Sequence, residues 1–400
     1  MVSLDVASEA ASFSSFEAEL AAAVAAGAVA GAVALVTDGE GVVFETAAGV
    51  RSFGSPTPMD AATVFWLASM TKAVVSVAAL QQVERGGLSL DGNLAGLLPE
   101  FADLKVLDGF ETDGAPRLRP ARRPVTLRHL LTHTSGFGYD FTSRELARWA
   151  ETAGAPSVVT GLRAAHVQPL LFDPGERWAY GIGVDWAGLA VEAASGRRLD
   201  VYLAENVLGP LGMAETSFRP SPEQVGRLAG AHLRTPDGKV APIPSPAPIL
   251  EDPEVFSGGG GLYGTAGDYG RFLRMLLNDG TLEGRQVLAP ETVALLFQPQ
   301  TGSVRAGAFQ SANPMLTHDF DLFPDQPTGW GLAAMISPQA GPNGRGPGSL
   351  SWGGLFNTYY WADRAAGRAG VLMTQLLPFG DPAVLKLAGS LERAASALDR

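Results

Sequence analysis

Phe65-Trp-Leu-Ala-Ser-Met-Thr-Lys72 is the stretch on which the reading of this 400-residue chain turns. It lies in the apolar run Thr63–Val83, which reads as one long helix ended by Arg85-Gly86-Gly87. On a helix, residues three apart share a face, so Ser69 and Lys72 become neighbours. A serine hydroxyl is a poor nucleophile until a base takes its proton. A lysine serves as that base only where apolar surroundings disfavour its charged form. Phe65, Trp66 and Leu67 before the pair, and Val74, Val75, Val77 and Ala78 after it, supply such surroundings. A place in the first helical turn would add the field of the helix N-terminus. The spacing alone is a weak signal, and lysine usage sharpens it. The chain has four lysines (Lys72, Lys105, Lys239, Lys386) against 25 arginines, yet puts one inside its most apolar helix. An arginine there could not give up its proton. The competing reading is structural: Lys72 reaches along the surface to water, and Ser69 caps the helix.

Working outward, Ser15–Ala26 reads as a helix. Ala32–Thr37 and Val42–Ala47 flank Asp38-Gly39-Glu40-Gly41, a strong hairpin signal. The apolar run Leu20–Val36 is interrupted by Gly27 and Gly31, and reads as a helix end plus a buried strand rather than a membrane span. From Leu88 to Pro253 the pattern is Pro- and Gly-rich with short helices (Thr126–His133, Ser143–Ala150, Val184–Ser195) and sparse β signal. The glycine-rich bridge Ser257–Thr265 leads into a helix over Ala266–Asn278, with Thr265 as N-cap and Asp268 at capping-box spacing. Strand-like runs follow at Gly329–Ile336, Ser351–Trp361 and Gly370–Leu376, then a helix over Pro382–Leu398.

The expected class is therefore α/β in the α+β sense. Residues 1–64 and 265–400 would form a lobe with an antiparallel sheet and terminal helices. Residues 65–264 would form a mostly helical lobe, with the active site in the cleft between the two.

Composition narrows the function. Hydrophobic residues make up 46% and charged residues 18%, as in a folded domain. A formal net charge of −12 argues against nucleic-acid partners and anionic lipid. The absence of cysteine excludes disulfides, thiolate catalysis and Cys-ligated zinc. Met1–Phe13 shows no secretory pattern, so a soluble cytoplasmic protein is expected. His129 and His133 stand four apart, but without a His-Glu-x-x-His glutamate or third ligand no metal site is expected. No Gly-x-Ser-x-Gly elbow occurs, and Gly258–Gly261 lacks the context of a phosphate loop. The arginines between Arg117 and Arg123 read as a solvated loop.

Four motifs then occur in order: Phe65–Lys72; Leu127-Arg-His-Leu-Leu-Thr-His-Thr-Ser-Gly136; Asp173-Pro-Gly-Glu-Arg-Trp-Ala-Tyr180; and Gly258-Gly-Gly-Gly-Leu-Tyr-Gly-Thr265. From about residue 15 onward the chain resembles the serine β-lactamase and penicillin-binding-protein superfamily. Within its class C-like branch it is most similar to the family VIII carboxylesterases. The resemblance implies a β-lactamase/transpeptidase-like fold, no cofactor and a third catalytic residue, Tyr180, sharing the general-base work with Lys72. It also implies an oxyanion hole from the backbone N–H groups of Ser69 and Leu355. Tyr139, in Gly136-Phe-Gly-Tyr139, matches a second active-site tyrosine of the esterase branch.

Two departures tilt the substrate class. Ile182 stands where lactamases carry asparagine, so that Tyr180-Gly-Ile-Gly-Val-Asp185 fits the esterase form Tyr-x-x-x-x-Asp. Ser351-Trp352-Gly353-Gly354-Leu355 replaces Lys-Thr-Gly, which exchanges a cation for an apolar wall. Tyr139, Trp352, Gly353 and Gly354 are the expected substrate contacts, while Trp330 and Phe356 suit a pocket wall or the core. The implied reaction is hydrolysis of a small short-chain carboxylic ester. A β-lactamase, D-amino-acid peptidase or other amide hydrolase remains an alternative, as does a catalytically silent sensor or scaffold. The sequence leaves the oligomeric state open.

Overall fold

A computed structural model describes residues 6–245 and 249–399. The Asp-Gly turn makes the expected hairpin between strands Gly31–Asp38 and Val42–Gly49. Asp38 Oδ1 accepts the backbone N–H groups of Glu40 and Gly41 at 2.7 and 2.8 Å, which fixes the turn. Five more strands complete an antiparallel sheet. Its order is Gly329–Trp330, Met335–Ile336, Leu350–Gly354, Thr358–Asp363, Arg368–Met373, Gly31–Asp38, Val42–Gly49. Gly31–Asp38 is buried on both faces, which explains its unbroken apolar run. On one face Phe13 of helix Val6–Ala25 stacks on Phe44, and this helix packs against the C-terminal helix Pro382–Ser396. On the other lies helix Ala266–Leu277, so close that a Cβ on Gly270 would sit 2.9 Å from Leu35. Among the described residues no helix is long and apolar enough to cross a membrane.

Three local expectations are corrected. The run Thr63–Val83 is not one helix. Phe65–Trp66 pairs as a strand with Tyr263–Gly264, Ala68–Met70 forms a 3-10 turn, and the α-helix spans Thr71–Glu84. Because that helix is buried from Thr71 to Gln82, it shows no polar face whose periodicity could mark its start. Thr265 does cap helix Ala266–Leu277, accepting the Asp268 N–H, but Asp268 closes no capping box. Its carboxylate accepts the Glu215 N–H and the Thr216 hydroxyl, both at 2.8 Å. The arginine segment 117–123 is not simply solvated. Arg119 grips the buried carboxylate of Asp173 with two hydrogen bonds, and the Arg122 N–H adds a third, anchoring the turn that leads to Tyr180.

The span 65–264 carries far more helix than strand but is not β-free. It holds the hairpin Lys105–Phe110/Pro116–Pro120 and the ribbon His232–Arg234/Val240–Pro242, which joins Leu376–Leu377.

Candidate active site

Ser69 is half-buried in the turn Ala68–Met70. Its neighbour Ala68 has φ of +45°, a left-handed conformation that costs an alanine about 1 kcal/mol. The strand pair Phe65–Trp66/Tyr263–Gly264 and the Leu67 N–H bond to the Leu262 carbonyl (2.9 Å) hold the chain in it. Lys72, in the first turn of helix Thr71–Glu84, is only 1% exposed. It does not reach along the surface to water. Three oxygens surround its nitrogen: Ser69 Oγ at 3.1 Å, the Tyr139 hydroxyl at 3.0 Å and the Gly259 carbonyl at 2.7 Å.

The Gly259 carbonyl is fixed from behind. Its own N–H donates to Asp185 Oδ1 at 3.0 Å, and the same oxygen takes the Ser257 hydroxyl at 2.7 Å. Asp185 lies in the first turn of helix Gly183–Ser195, is 1% exposed, and has His166 Nε2 at 3.7 Å. Burial pushes its carboxyl up. The contact with His166, the charges of His166 and Lys72, and the Ser257 hydrogen bond outweigh burial and hold it below the ordinary value of 3.8. Asp185→Asn removes a buried anion that accepts the Ser257 hydroxyl and the Gly259 N–H, and should cost about 3 kcal/mol at pH 7 in urea unfolding. A depressed carboxyl stabilises the fold above its ordinary range and loses that contribution as the pH falls through its folded value. The gap between wild type and variant should therefore close below about pH 4. An Asn variant equal in stability at pH 7 would remove Asp185 as the anchor.

Tyr139 is buried, and burial first, then the charge of Asp185, drives its hydroxyl well above the ordinary tyrosine range. It stays a phenol that accepts from Lys72.

Tyr180 is positioned by His133. The His133 carbonyl accepts the Ala179 N–H at 2.9 Å, and its Nδ1 accepts the Gly181 N–H at 3.4 Å. Burial, then the charge of Lys72, hold His133 well below its ordinary value, so the imidazole is neutral. It shares no helical face with His129: helix Leu127–Leu131 ends first, and His133 adopts φ of +57°. His129 Nδ1 instead accepts the Thr126 N–H in that helix's capping box.

The Tyr180 hydroxyl accepts the indole N–H of Trp352 at 2.9 Å. Lys72 Nζ stands 4.7 Å from its ring centroid, facing the ring rather than the oxygen. Trp352 extends to Tyr180 from the strand Leu350–Gly354. Gly353 and Gly354 are glycines for packing. A Cβ on Gly354 would stand 2.3 Å from the Leu67 carbonyl, and one on Gly353 2.6 Å from that of Thr358. This close approach brings the strand against the Ser69 turn. Trp330 and Phe356 are fully buried core residues, packed on Trp352 and Trp66 respectively.

Ser69 and Leu355 both border two cavities. One, of about 140 Å³, is mostly apolar, with walls that include Trp66, Phe218, Phe256 and Val158. The other, of about 20 Å³, is lined by Tyr180, Trp352, Phe309 and Phe379. The sequence reading missed the Gly259 carbonyl, the Asp185–Ser257–His166 cluster and the role of His133. Only Asp185 carried a signal, as the last residue of the Tyr180–Asp185 motif.

Such an arrangement, beside an antiparallel sheet, defines a serine hydrolase on a β-lactamase/transpeptidase-like fold. The chain belongs to the Beta-lactamase family, whose model matches residues 16–393. A lovastatin esterase from Penicillium rubens is 34% identical over 350 residues, covering 84% of this chain and 86% of that protein. A monacolin J acid methylbutanoyltransferase from Aspergillus terreus is 35% identical over 347 residues, with 84% and 83% covered. In structure, an engineered simvastatin synthase LovD from Aspergillus terreus matches with a TM-score of 0.84 at 32% identity. That match covers 99% of this chain and 98% of LovD.

Proposed function

We propose that this chain is a serine carboxylesterase that forms an acyl-enzyme on Ser69. The observation that carries the reading is the buried lysine nitrogen 3.1 Å from the hydroxyl of a serine that lines an apolar cavity. In its free-amine form Lys72 takes the hydroxyl proton as Ser69 Oγ bonds to the ester carbonyl carbon. The N–H groups of Ser69 and Leu355 receive the oxyanion, each worth roughly 3 kcal/mol in comparable enzymes. The bond to the alcohol oxygen breaks, and the alcohol leaves with a proton delivered by Tyr180. Water then attacks the acyl carbon and gives its proton to Tyr180, the bond from that carbon to Ser69 Oγ breaks, and Lys72 returns its proton to Ser69 as the acid leaves.

Trp352 and the buried Ile182 leave no cation and no amide at the positions that would favour a β-lactam, which supports esters over lactams. A second reading, transfer of the acyl group to an alcohol, is favoured by the methylbutanoyltransferase relative. It differs only in which hydroxyl attacks the acyl-enzyme.

The test compares p-nitrophenyl butyrate with a chromogenic cephalosporin, with and without added alcohol. Ester turnover well above cephalosporin turnover, and a phosphonate adduct on Ser69 by mass spectrometry, are expected. A new ester formed with the added alcohol would favour transfer. The opposite substrate ratio would point to an amide hydrolase, and no turnover with no adduct to a silent scaffold.

A further inference from the structure

The two cavities at Ser69 differ in size, polarity and neighbours, and the esterase reading above makes that difference informative. A tetrahedral centre on Ser69 Oγ carries three other groups: the oxyanion, the alcohol oxygen and the acyl carbon. The oxyanion goes to backbone N–H groups. The alcohol oxygen goes to the proton donor, and Tyr180 borders the smaller cavity, not the larger. Tyr139 does border the larger one, but burial and the Asp185 carboxylate keep it from giving up its proton. The smaller cavity, about 20 Å³, has room for about one water or one alcohol oxygen. The larger, about 140 Å³, approaches the size of an apolar cavity that admits a benzene ring.

We infer that the larger cavity is the acyl site, that it takes an apolar acyl group of roughly six carbons, and that Gly260 sets its size. Three consecutive glycines line it, for different reasons. A Cβ on Gly259 would strike Asp185 Oδ2 at 2.2 Å and the Tyr139 hydroxyl at 2.8 Å. One on Gly261 would meet the Phe218 ring at 2.7 Å. Both glycines are demanded by packing. At Gly260 the nearest heavy atoms to a Cβ would be 3.8 Å away, on Ala68 and Ser257, so a Cβ fits there without displacing anything. The backbone is already fixed, because Trp66 Nε1 donates to the Gly260 carbonyl at 2.6 Å. Packing therefore leaves the position free, and its missing side chain keeps open the space beside the nucleophile.

The experiment uses the full chain and its variants Gly260→Ala and Gly260→Val, assayed on matched acetate and hexanoate esters. The ratio of kcat/KM for hexanoate over acetate is read within each protein. It should fall stepwise, reaching at least about tenfold in Gly260→Val, the effect of one or two methylenes in an apolar pocket. The ratio for methyl over benzyl esters of one acid should stay constant. Val158→Phe narrows the same cavity from another wall and should lower the hexanoate ratio too, which keeps the test decisive if Gly260→Val does not fold. An unmoved acyl ratio in both positions would overturn the inference. A shift in the alcohol ratio instead would mean that the two cavities hold the opposite halves of the substrate. Failure of the esterase reading looks different: the wild type would then turn over none of these esters in a Ser69-dependent way.

Discussion

Lys72→Arg and Lys72→Met should each lower ester turnover by on the order of 10⁴-fold, nearly as far as Ser69→Ala. The two replacements separate charge from basicity. Arginine keeps the positive charge but cannot give up its proton, whereas methionine keeps the volume of the stem and removes the nitrogen. If the charge alone mattered, Arg would rescue and Met would not. In the structure the nitrogen is a small hub with oxygens of Ser69, Tyr139 and Gly259 within 2.7 to 3.1 Å, a space shaped for an amine rather than a planar guanidinium. Because Ser69 and Lys72 act as one unit, the double variant Ser69→Ala/Lys72→Arg should be no worse than either single one. Calorimetry runs alongside the kinetics, since Lys72 is buried and Arg strains the packing. The Met variant also removes the positive neighbour of Asp185, whose carboxyl should move up toward its ordinary value, and of His133, whose imidazole should move up slightly. An Arg variant with more than about a tenth of wild-type turnover would end the general-base role of Lys72.

What could be read ahead of the structure follows from which interactions are local. The Asp38–Gly41 hairpin, the Thr265 cap and the Ser69–Lys72 spacing are written within a few residues of one another, and all three stand in the structure. The start of helix Thr71–Glu84 is illegible for the opposite reason. Phe65–Trp66 becomes a strand only because Tyr263–Gly264, almost 200 residues away, pairs with it. Local apolar patterning is blind to that. The Gly259 carbonyl was invisible because a backbone oxygen leaves no mark on residue identity; only the run of glycines hinted that the backbone itself comes close to something. His133 was weighed as a metal ligand by its spacing from His129, yet a left-handed φ at His133 destroys that spacing and turns the ring to the Tyr180 loop. Trp352 is legible as a substrate contact only through the Trp-Gly-Gly resemblance. Its indole N–H on the Tyr180 oxygen gives it a chemical role beyond that of an apolar wall.

That bond bears on the remaining large effect, at the two tyrosines. Tyr180→Phe should cost about 10³-fold in turnover of an ethyl ester, and Tyr139→Phe only about tenfold, the worth of one hydrogen bond to the lysine. The difference lies in what each hydroxyl can do. That of Tyr139 is buried beside Asp185, stays protonated and serves Lys72 as an acceptor. That of Tyr180 borders the small cavity at Ser69 and accepts from Trp352, which leaves its own O–H directed toward that cavity's space beside Ser69. Leaving-group dependence tells the two apart. An alkoxide departs only if protonated, whereas p-nitrophenolate leaves unaided. The loss in Tyr180→Phe should therefore shrink markedly when the ethyl ester is replaced by a p-nitrophenyl ester of the same acid, and the loss in Tyr139→Phe should not. Trp352→Phe should follow the Tyr180 pattern in weaker form, because it removes the donor and leaves the phenol. If the leaving-group effect appears in Tyr139→Phe instead, the acid is Tyr139, and the alcohol half of the substrate belongs in the larger cavity.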